Sequence, residues 1–288
     1  MFSLLCLLLA AMAAAQTPDP PAPAPASPQP VRDETELNVI TVPTTESMHR
    51  FGSHVRITHR FVRDWARGGP GALVSDLFGV DEGAVIGLDY RFAPTSNTQV
   101  AAYRSMLFRT VQFSGRYDAL RQGTMLPVAL SVLLSVEGAN NFHTDHAPAI
   151  GAVVSRTYGK RLALYASPTF VWNSTTPGSA ALDQEANPAD LGGVGAVPPT
   201  IVDTNTAYVG LATRVLIPKN TYIALEFTPR LTGFAPGRGT WGVAIEKHTR
   251  GHLFQLNFSN SFGTTYGQLA RGGEKSNVYM GFNIARKF

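Results

Sequence analysis

The sequence predicts an all-β fold: a closed, antiparallel, up-and-down transmembrane β-barrel of about 12 strands. Three observations lead there. From His54 onward the chain divides into segments of about ten residues with alternating polarity, as barrel-spanning strands do. The links between those segments are short at one end and mostly longer at the other. The last twelve residues, NVYMGFNIARKF, form one more alternating strand that finishes on an aromatic side chain.

Taken in order, the chain opens on MFSLLCLLLAAMAAA, an apolar run that ends in small residues and is followed by Gln16. Residues 1–15 read as a secretory signal peptide cleaved after Ala15, although no Lys or Arg precedes the run. The run is shorter than the about 20 residues a spanning helix needs. Cys6 is the only cysteine and leaves with the leader, which removes disulfide, thiolate-metal and cysteine-nucleophile chemistry together. Residues 16–50 form a Pro/Ala-rich periplasmic linker, TPDPPAPAPASPQP, and a polar lead-in without an assigned structure. The barrel is assigned to residues 51–288.

Of the 288 residues only 15% are charged, against 10% aromatic and 27 glycines, and the net charge is +4. Soluble proteins usually carry about a quarter charged residues. No run of Lys and Arg is present, so a nucleic-acid partner is not expected. No segment after the leader is long and apolar enough for a helical span: MLPVALSVLLSV, the best candidate, is short and contains Pro127. A membrane form must therefore be a closed sheet, since only helices and barrels satisfy every backbone group in hydrocarbon.

Strands are expected at 54–62, 84–92, 98–105, 110–119, 127–137, 149–157, 161–172, 206–217, 221–231, 240–247, 251–259 and 276–288. Short turns at 93–97, 120–125, 158–160, 218–220 and 248–250 alternate with links at 63–83, 106–109, 138–149, 173–205, 232–239 and 260–275. Bacterial outer-membrane barrels sort their connections this way, with tight turns toward the periplasm and long loops outside. Both termini then lie on the periplasmic side.

The faces agree strand by strand. Ile223, Leu225 and Phe227 oppose Ala224, Glu226 and Thr228; Trp241, Val243 and Ile245 oppose Gly242, Ala244 and Glu246; Ile86, Leu88, Tyr90 and Phe92 oppose Val85, Gly87, Asp89 and Arg91. Apolar side chains outside meet lipid, and small or charged ones line the lumen. In the last strand Val278, Met280, Phe282, Ile284 and Phe288 share the outer face, with Arg286 among them near the interface, where a cation costs only about 0–1 kcal/mol. Pro168 and Pro229 fall inside strands, and a barrel offers no edge for a missing N–H, so bulges or loosened pairing are expected there.

The stretches ITHRF (57–61), GLDYRF (87–92), RLALYASPTFVW (161–172) and GHLFQLNFSNSFGTT (251–265), with the closing MGFNIARKF, resemble a bacterial β-barrel family catalogued as domain of unknown function 5777. The resemblance runs from about Thr41 to the end of the chain. It implies an outer-membrane barrel and carries over no catalytic residue. The closing strand also resembles the last strand of outer-membrane proteins, where a terminal aromatic is the handle for the barrel-assembly machinery; the positions are Phe282, Ile284 and Phe288. Outer-membrane lipids are the other expected partner.

A search for chemistry returns little. The chain has no G-x-S-x-G elbow, no glycine-rich phosphate loop and no H-E-x-x-H. His143 and His146 flank Asp145 on an expected outer loop, a weak metal pattern whose ordinary reading is a solvated loop. His59 is placed toward lipid, where a lipid hydrolase would need a serine beside it, and the register supplies none. Neither a cofactor nor a metal is called for. Parity puts Asp89, Arg91, Arg116, Asp118, Glu137, Arg156, Arg214, Glu226, Arg230 and Glu246 on the lumen face, and buried charges must pair or meet water, so a ladder of opposite charges on adjacent strands is expected.

A twelve-strand barrel is roughly 24 Å across its backbone, between self-filled and open sizes. Whether 173–205 or the lead-in folds inward decides between pore and plug. The leading expectation is a narrow channel or structural barrel with a charged lumen. An outer-membrane lipid-acting enzyme and a secreted soluble β-sandwich that binds a ligand are the alternatives.

Overall fold

The computed structural model describes residues 36–67, 69–123, 126–159, 161–175, 205–233, 238–249 and 251–288. The leader, its cleavage at Ala15, the Pro/Ala tether and most of the 173–205 link lie outside these residues.

Thirteen strand segments form one sheet: β1 (Ser53–Asp64), β2 (Ala84–Phe92), β3 (Thr98–Ser105), β4 (Val111–Leu120), β5 (Ala129–Gly138), β6 (Thr144–Tyr158), β7 (Leu162–Val171), β8 (Thr206–Ile217), β9 (Thr221–Thr228), β10 (Arg230–Thr232), β11 (Thr240–Thr249), β12 (His252–Ser259) and β13 (Tyr279–Lys287). Pro229 alone separates β9 from β10, and with those two counted as one strand the wall has twelve. Sequential neighbours pair antiparallel throughout, β1 pairs with β13 from His54↔Lys287 to Asp64↔Tyr279, and β8 pairs with β9. The sheet thus closes on itself. A two-layer sandwich with free margins, the soluble alternative, is set aside.

Burial follows the period-two pattern. Ile86, Leu88, Tyr90, Ile223, Leu225, Phe227, Val243, Ile245 and Ile284 are exposed on the outer face, while Val85, Asp89, Ala224, Glu226, Ala244 and Glu246 are buried inside. In water such a surface would expose far more contiguous apolar area than a soluble monomer tolerates. Aromatic residues gather where the strands end: Phe51, Tyr90, Tyr117, Tyr158 and Phe288 at the end with the short turns, and Trp65, Phe113, Phe170, Trp172 and Trp241 at the other. Two such girdles bracket the apolar band of a membrane barrel. Leu225 sits in mid-band between Thr213 and Val243. Leu225→Arg is expected to cost about 2–4 kcal/mol in unfolding from phospholipid vesicles, measured by urea titration of tryptophan fluorescence.

The prolines act as their chemistry requires. Pro168 pairs with Val209 on β8, but the β6–β7 ladder skips from Gly151↔Thr169 to Val154↔Ala166. Pro229 ends β9, and the register shifts between Arg230 and Thr232 where the short β10 resumes against β8. One link differs from the sequence reading. β6 begins at Thr144, so the connection after β5 is not the long 138–149 stretch but a tight turn built on Ala139–Phe142, with Asn140 and Asn141 in left-handed conformation. Asn tolerates that region better than most residues, and here it lets the hairpin close early.

Candidate functional site

The lumen is filled from both ends. At the short-turn end, residues 36–48, part of the lead-in that the sequence reading left without an assigned structure, are packed inside the wall; the barrel's structured part therefore begins before position 51. Leu37, Val39, Ile40 and Val42 are all 1% exposed or less. The segment doubles back as a tight hairpin, with Val39 N–H donating to Val42 O (2.8 Å), Thr44 N–H to Leu37 O (2.9 Å) and the Asn38 side chain to Thr41 O (2.9 Å). Its apolar side chains meet a wall made small on purpose of fit: Val39, Ile40 and Val42 pack on Ala163, Tyr165, Ala212, Ala224 and Ala244. A Cβ at Gly210 would come within 2.9 Å of Val42, and one at Gly242 within 3.0 Å of Ile40.

Polar contacts hold the hairpin's main chain. Glu226 reaches in from β9 and accepts the N–H groups of Ile40 (2.5 Å), Thr41 (2.9 Å) and Val42 (2.8 Å) together with the Thr41 hydroxyl (2.7 Å). A buried carboxylate is tolerable when this many donors converge on it. Wall cations take the hairpin's carbonyls: Arg56 donates to Ile40 O, Arg214 to Asn38 O (3.0 Å), and Arg116 to Thr44 O (2.8 Å) and Glu46 O. Gln255 donates to Val39 O at 2.7 Å and Arg91 to the Asn38 side chain at 2.5 Å. The segment's orphan backbone groups are thus satisfied by side chains of the wall.

From the opposite end, the link between β12 and β13 turns inward and carries a short helix, Tyr266–Arg271, opened by a Thr265/Gln268 capping box. Leu269 and Ala270 pack on Ala147, Ala149, Val171 and Tyr208, and Phe262 packs with Val85, Leu107, Phe108, Ala139 and Tyr279. Gly267 donates its N–H to Glu137 (2.9 Å), Arg271 pairs with Glu137 (3.4 Å), and Tyr266 N–H donates to Gln112 (3.0 Å). A Cβ at Gly267 would lie 2.3 Å from the Glu137 carboxylate, so only glycine allows that approach. The inward loop is therefore this one; the contribution of 173–205 falls mostly outside the described residues.

Asp89, Arg116, Asp118, Glu137, Arg214, Glu226 and Glu246 are buried on the lumen side, as parity requires, and Arg91 and Arg230 are half-buried there, with Arg230 reaching Ala270 O at 3.3 Å. Arg156 is a correction. It is exposed on the outer face with Ile150 and Val154, and its guanidinium lies 4.8 Å from the Tyr158 ring centre. Ser155 and Val153 occupy the inner face instead; the arginine sits at a strand end, where its long stem lets the charge reach headgroups.

The expected ladder between adjacent strands is also corrected. Arg91–Asp89 (2.8 Å) and Arg116–Asp118 (2.9 Å) pair two residues apart on one strand, and Arg214–Glu246 (2.8 Å) bridges across the intervening β9. Parity fixes a residue's face but not its cross-strand neighbour. Register places Gln99 beside Arg116, Ala212 and Gly242 beside Glu226, and Gln255 beside Glu246. Sequence reasoning overlooked Glu36, Arg56, Arg60 and Arg271 as interior charges, and His248 as an interior polar group. The same parity that put Ile57 outside marks Arg56 and Arg60 as inside.

His59 stacks on Phe282 (4.6 Å, 12° between planes) and Phe61, and its cross-strand neighbours are Phe282 and Ile86. With no serine at either place, no hydrolytic pair forms there. His143 and His146 bond the backbone oxygens of their own turn, Asn140 O and Phe142 O. Among the described residues no three His, Cys, Asp or Glu side chains cluster as a metal site.

A closed wall with an apolar outer band agrees with a known sequence family of membrane barrels. Residues 35–288 match the family model "Membrane bound beta barrel domain (DUF5777)". The chain belongs to this family. No curated protein sequence matches the chain significantly. Among solved structures, an outer membrane channel from Pseudomonas putida F1 is 11% identical, over 85% of this chain and 98% of that one, with a TM-score of 0.48. The Acinetobacter baumannii outer membrane protein Omp33 is 10% identical over 83% and 98%, TM-score 0.42. The outer membrane phospholipase A from Escherichia coli is 9% identical over 89% and 98%, TM-score 0.41.

Proposed function

We propose that this DUF5777 barrel is a narrow bacterial outer-membrane channel held shut by its own segment 36–48. The observation that carries the reading is the Glu226 cradle. A purely structural barrel needs only side chains from its wall to fill the lumen. Here the filling is a separate stretch of main chain, joined to the wall by hydrogen bonds to polar and charged side chains that would suit a wet path if it left. The same reading puts the short turns and both termini on the periplasmic side, because long connections of such barrels face outward.

The test is planar-bilayer conductance of refolded protein. The intact chain is expected to be nearly silent, and a chain lacking residues 33–48 to show small steady steps, small because the Tyr266–Arg271 helix still narrows the far end. A deletion variant that folds, judged by the shift in gel mobility on heating, yet conducts nothing would leave a structural barrel as the correct description.

A further inference from the structure

The end of the barrel with the short turns carries a belt of exposed cations, and those among the described residues, Arg50, Arg156, Arg161, Lys219, Lys247 and Arg286, make no ion pair with a carboxylate side chain. The turns there read APTSN, RQGTMLPV, GKR, PKN and RG, with five Lys or Arg and no Asp or Glu. Three arginines on that rim lie against aromatic rings of the girdle: Arg50 over Phe51 at 4.6 Å, Arg156 over Tyr158 at 4.8 Å and Arg286 over Phe288 at 4.7 Å. All three are exposed, as are Arg161, Lys219 and Lys247, and none makes an ion pair among the described residues. The links at the opposite end carry six Lys or Arg against ten Asp or Glu, and two of the cations there pair directly, Arg63 with Asp76 at 2.5 Å and Arg67 with Asp64 at 3.1 Å. The net charge of the whole chain is only +4, so the excess is concentrated on one rim.

We propose that this rim binds the phosphodiester headgroups of anionic phospholipids in the leaflet that meets the short turns; the proposal rests on the chain being a membrane barrel, not on its conducting. The girdle fixes the height of the site, since aromatic rings at a strand end sit at headgroup level. A guanidinium resting on such a ring keeps its N–H fork facing outward, where it can donate two parallel hydrogen bonds to one phosphate. A cation near an anionic surface is worth about a fivefold preference, and several around one rim select a shell of lipid rather than a single molecule.

The experiment uses the full barrel in phosphatidylcholine vesicles with trace spin-labelled lipid, and reads the association of phosphatidylglycerol relative to phosphatidylcholine from the motionally restricted spectrum. The intact chain is expected to prefer phosphatidylglycerol by about fivefold, and less in molar salt, where screening is short-ranged. The R50Q/R156Q/R286Q variant should fall toward no preference, while the corresponding triple Lys variant keeps most of it. Equal association of the two lipids with the intact chain, or a preference that survives the Gln variant, overturns the proposal. So does stronger association of spin-labelled lipid A than of phosphatidylglycerol, which would assign the rim to the other leaflet. A chain that restricts no lipid at all contradicts the membrane barrel itself.

Discussion

Glu226→Ala is expected to release segment 36–48 from the lumen. The carboxylate is the acceptor for three consecutive N–H groups and a hydroxyl, and losing it leaves those donors buried and unpaired. A buried group stripped of its partner costs about 1–3 kcal/mol, and bonds to a charged acceptor are at the upper end. Three such donors cost about as much as burial of Val39, Ile40 and Val42 returns at about 1.5–3 kcal/mol each, so the hairpin should leave the lumen far more often. The chain's one cysteine is Cys6, so protein produced without residues 1–15 has no thiol, and a Val39→Cys substitution gives a clean probe. In that background a polar maleimide should label Cys at this position slowly, and at least tenfold faster once Glu226 is Ala. Equal, slow labelling in both would mean that the apolar contacts alone hold the segment.

Arg214→Met should be the most destabilising single change in the wall. Arg214 and Glu246 are both 0% exposed at the side chain and meet at 2.8 Å, and Glu246 also accepts from Gln255 (2.7 Å) and lies 3.1 Å from His248. Removing the arginine strands a buried carboxylate, which costs about 3–5 kcal/mol, whereas replacing both partners with apolar residues of similar size is often neutral. Urea unfolding from phospholipid vesicles should thus show a large loss for R214M and recovery of most of it in R214M/E246L. Equal losses in the single and double variants would show that the pair's other contacts, to Asn38 and Gln255, carry the stability.

Most of the wall was legible because a barrel writes its architecture into local pattern. Alternation over about ten residues named each strand, and turn residues named the ends; Leu225 and Glu226 needed no tertiary information to be assigned to opposite faces. What escaped is what depends on partners distant in sequence. Nothing near residue 40 announces that its backbone will meet Glu226, because the segment has no period of its own and its fit is recorded in Gly210, Gly242 and the inward alanines of other strands. The pairing of charges was lost for a related reason: cross-strand register is set by the number of residues in turns and bulges. Arg156 shares its parity with Ile150 and Val154 along β6, so alternation puts it on the outer face and not, as the sequence reading has it, in the lumen. The early start of β6 hid behind Asn140 and Asn141, whose backbone geometry closes a hairpin in fewer residues than the composition suggests.

The two prolines have a joint mechanical consequence. Pro168 breaks the seam between β6 and β7, and Pro229 the seam between β8 and the strand made of β9 and β10, yet the intervening β7–β8 ladder is continuous from Leu162↔Val215 to Val171↔Thr206. Both gaps lie in the half of the wall away from the short turns. That half of the β7–β8 pair is a panel with slack stitching along both margins, and the β1–β13 junction has a gap of its own between Arg60 and Asp64, so the cylinder yields most readily at two sectors of the rim away from the short turns and keeps its stiffness near them.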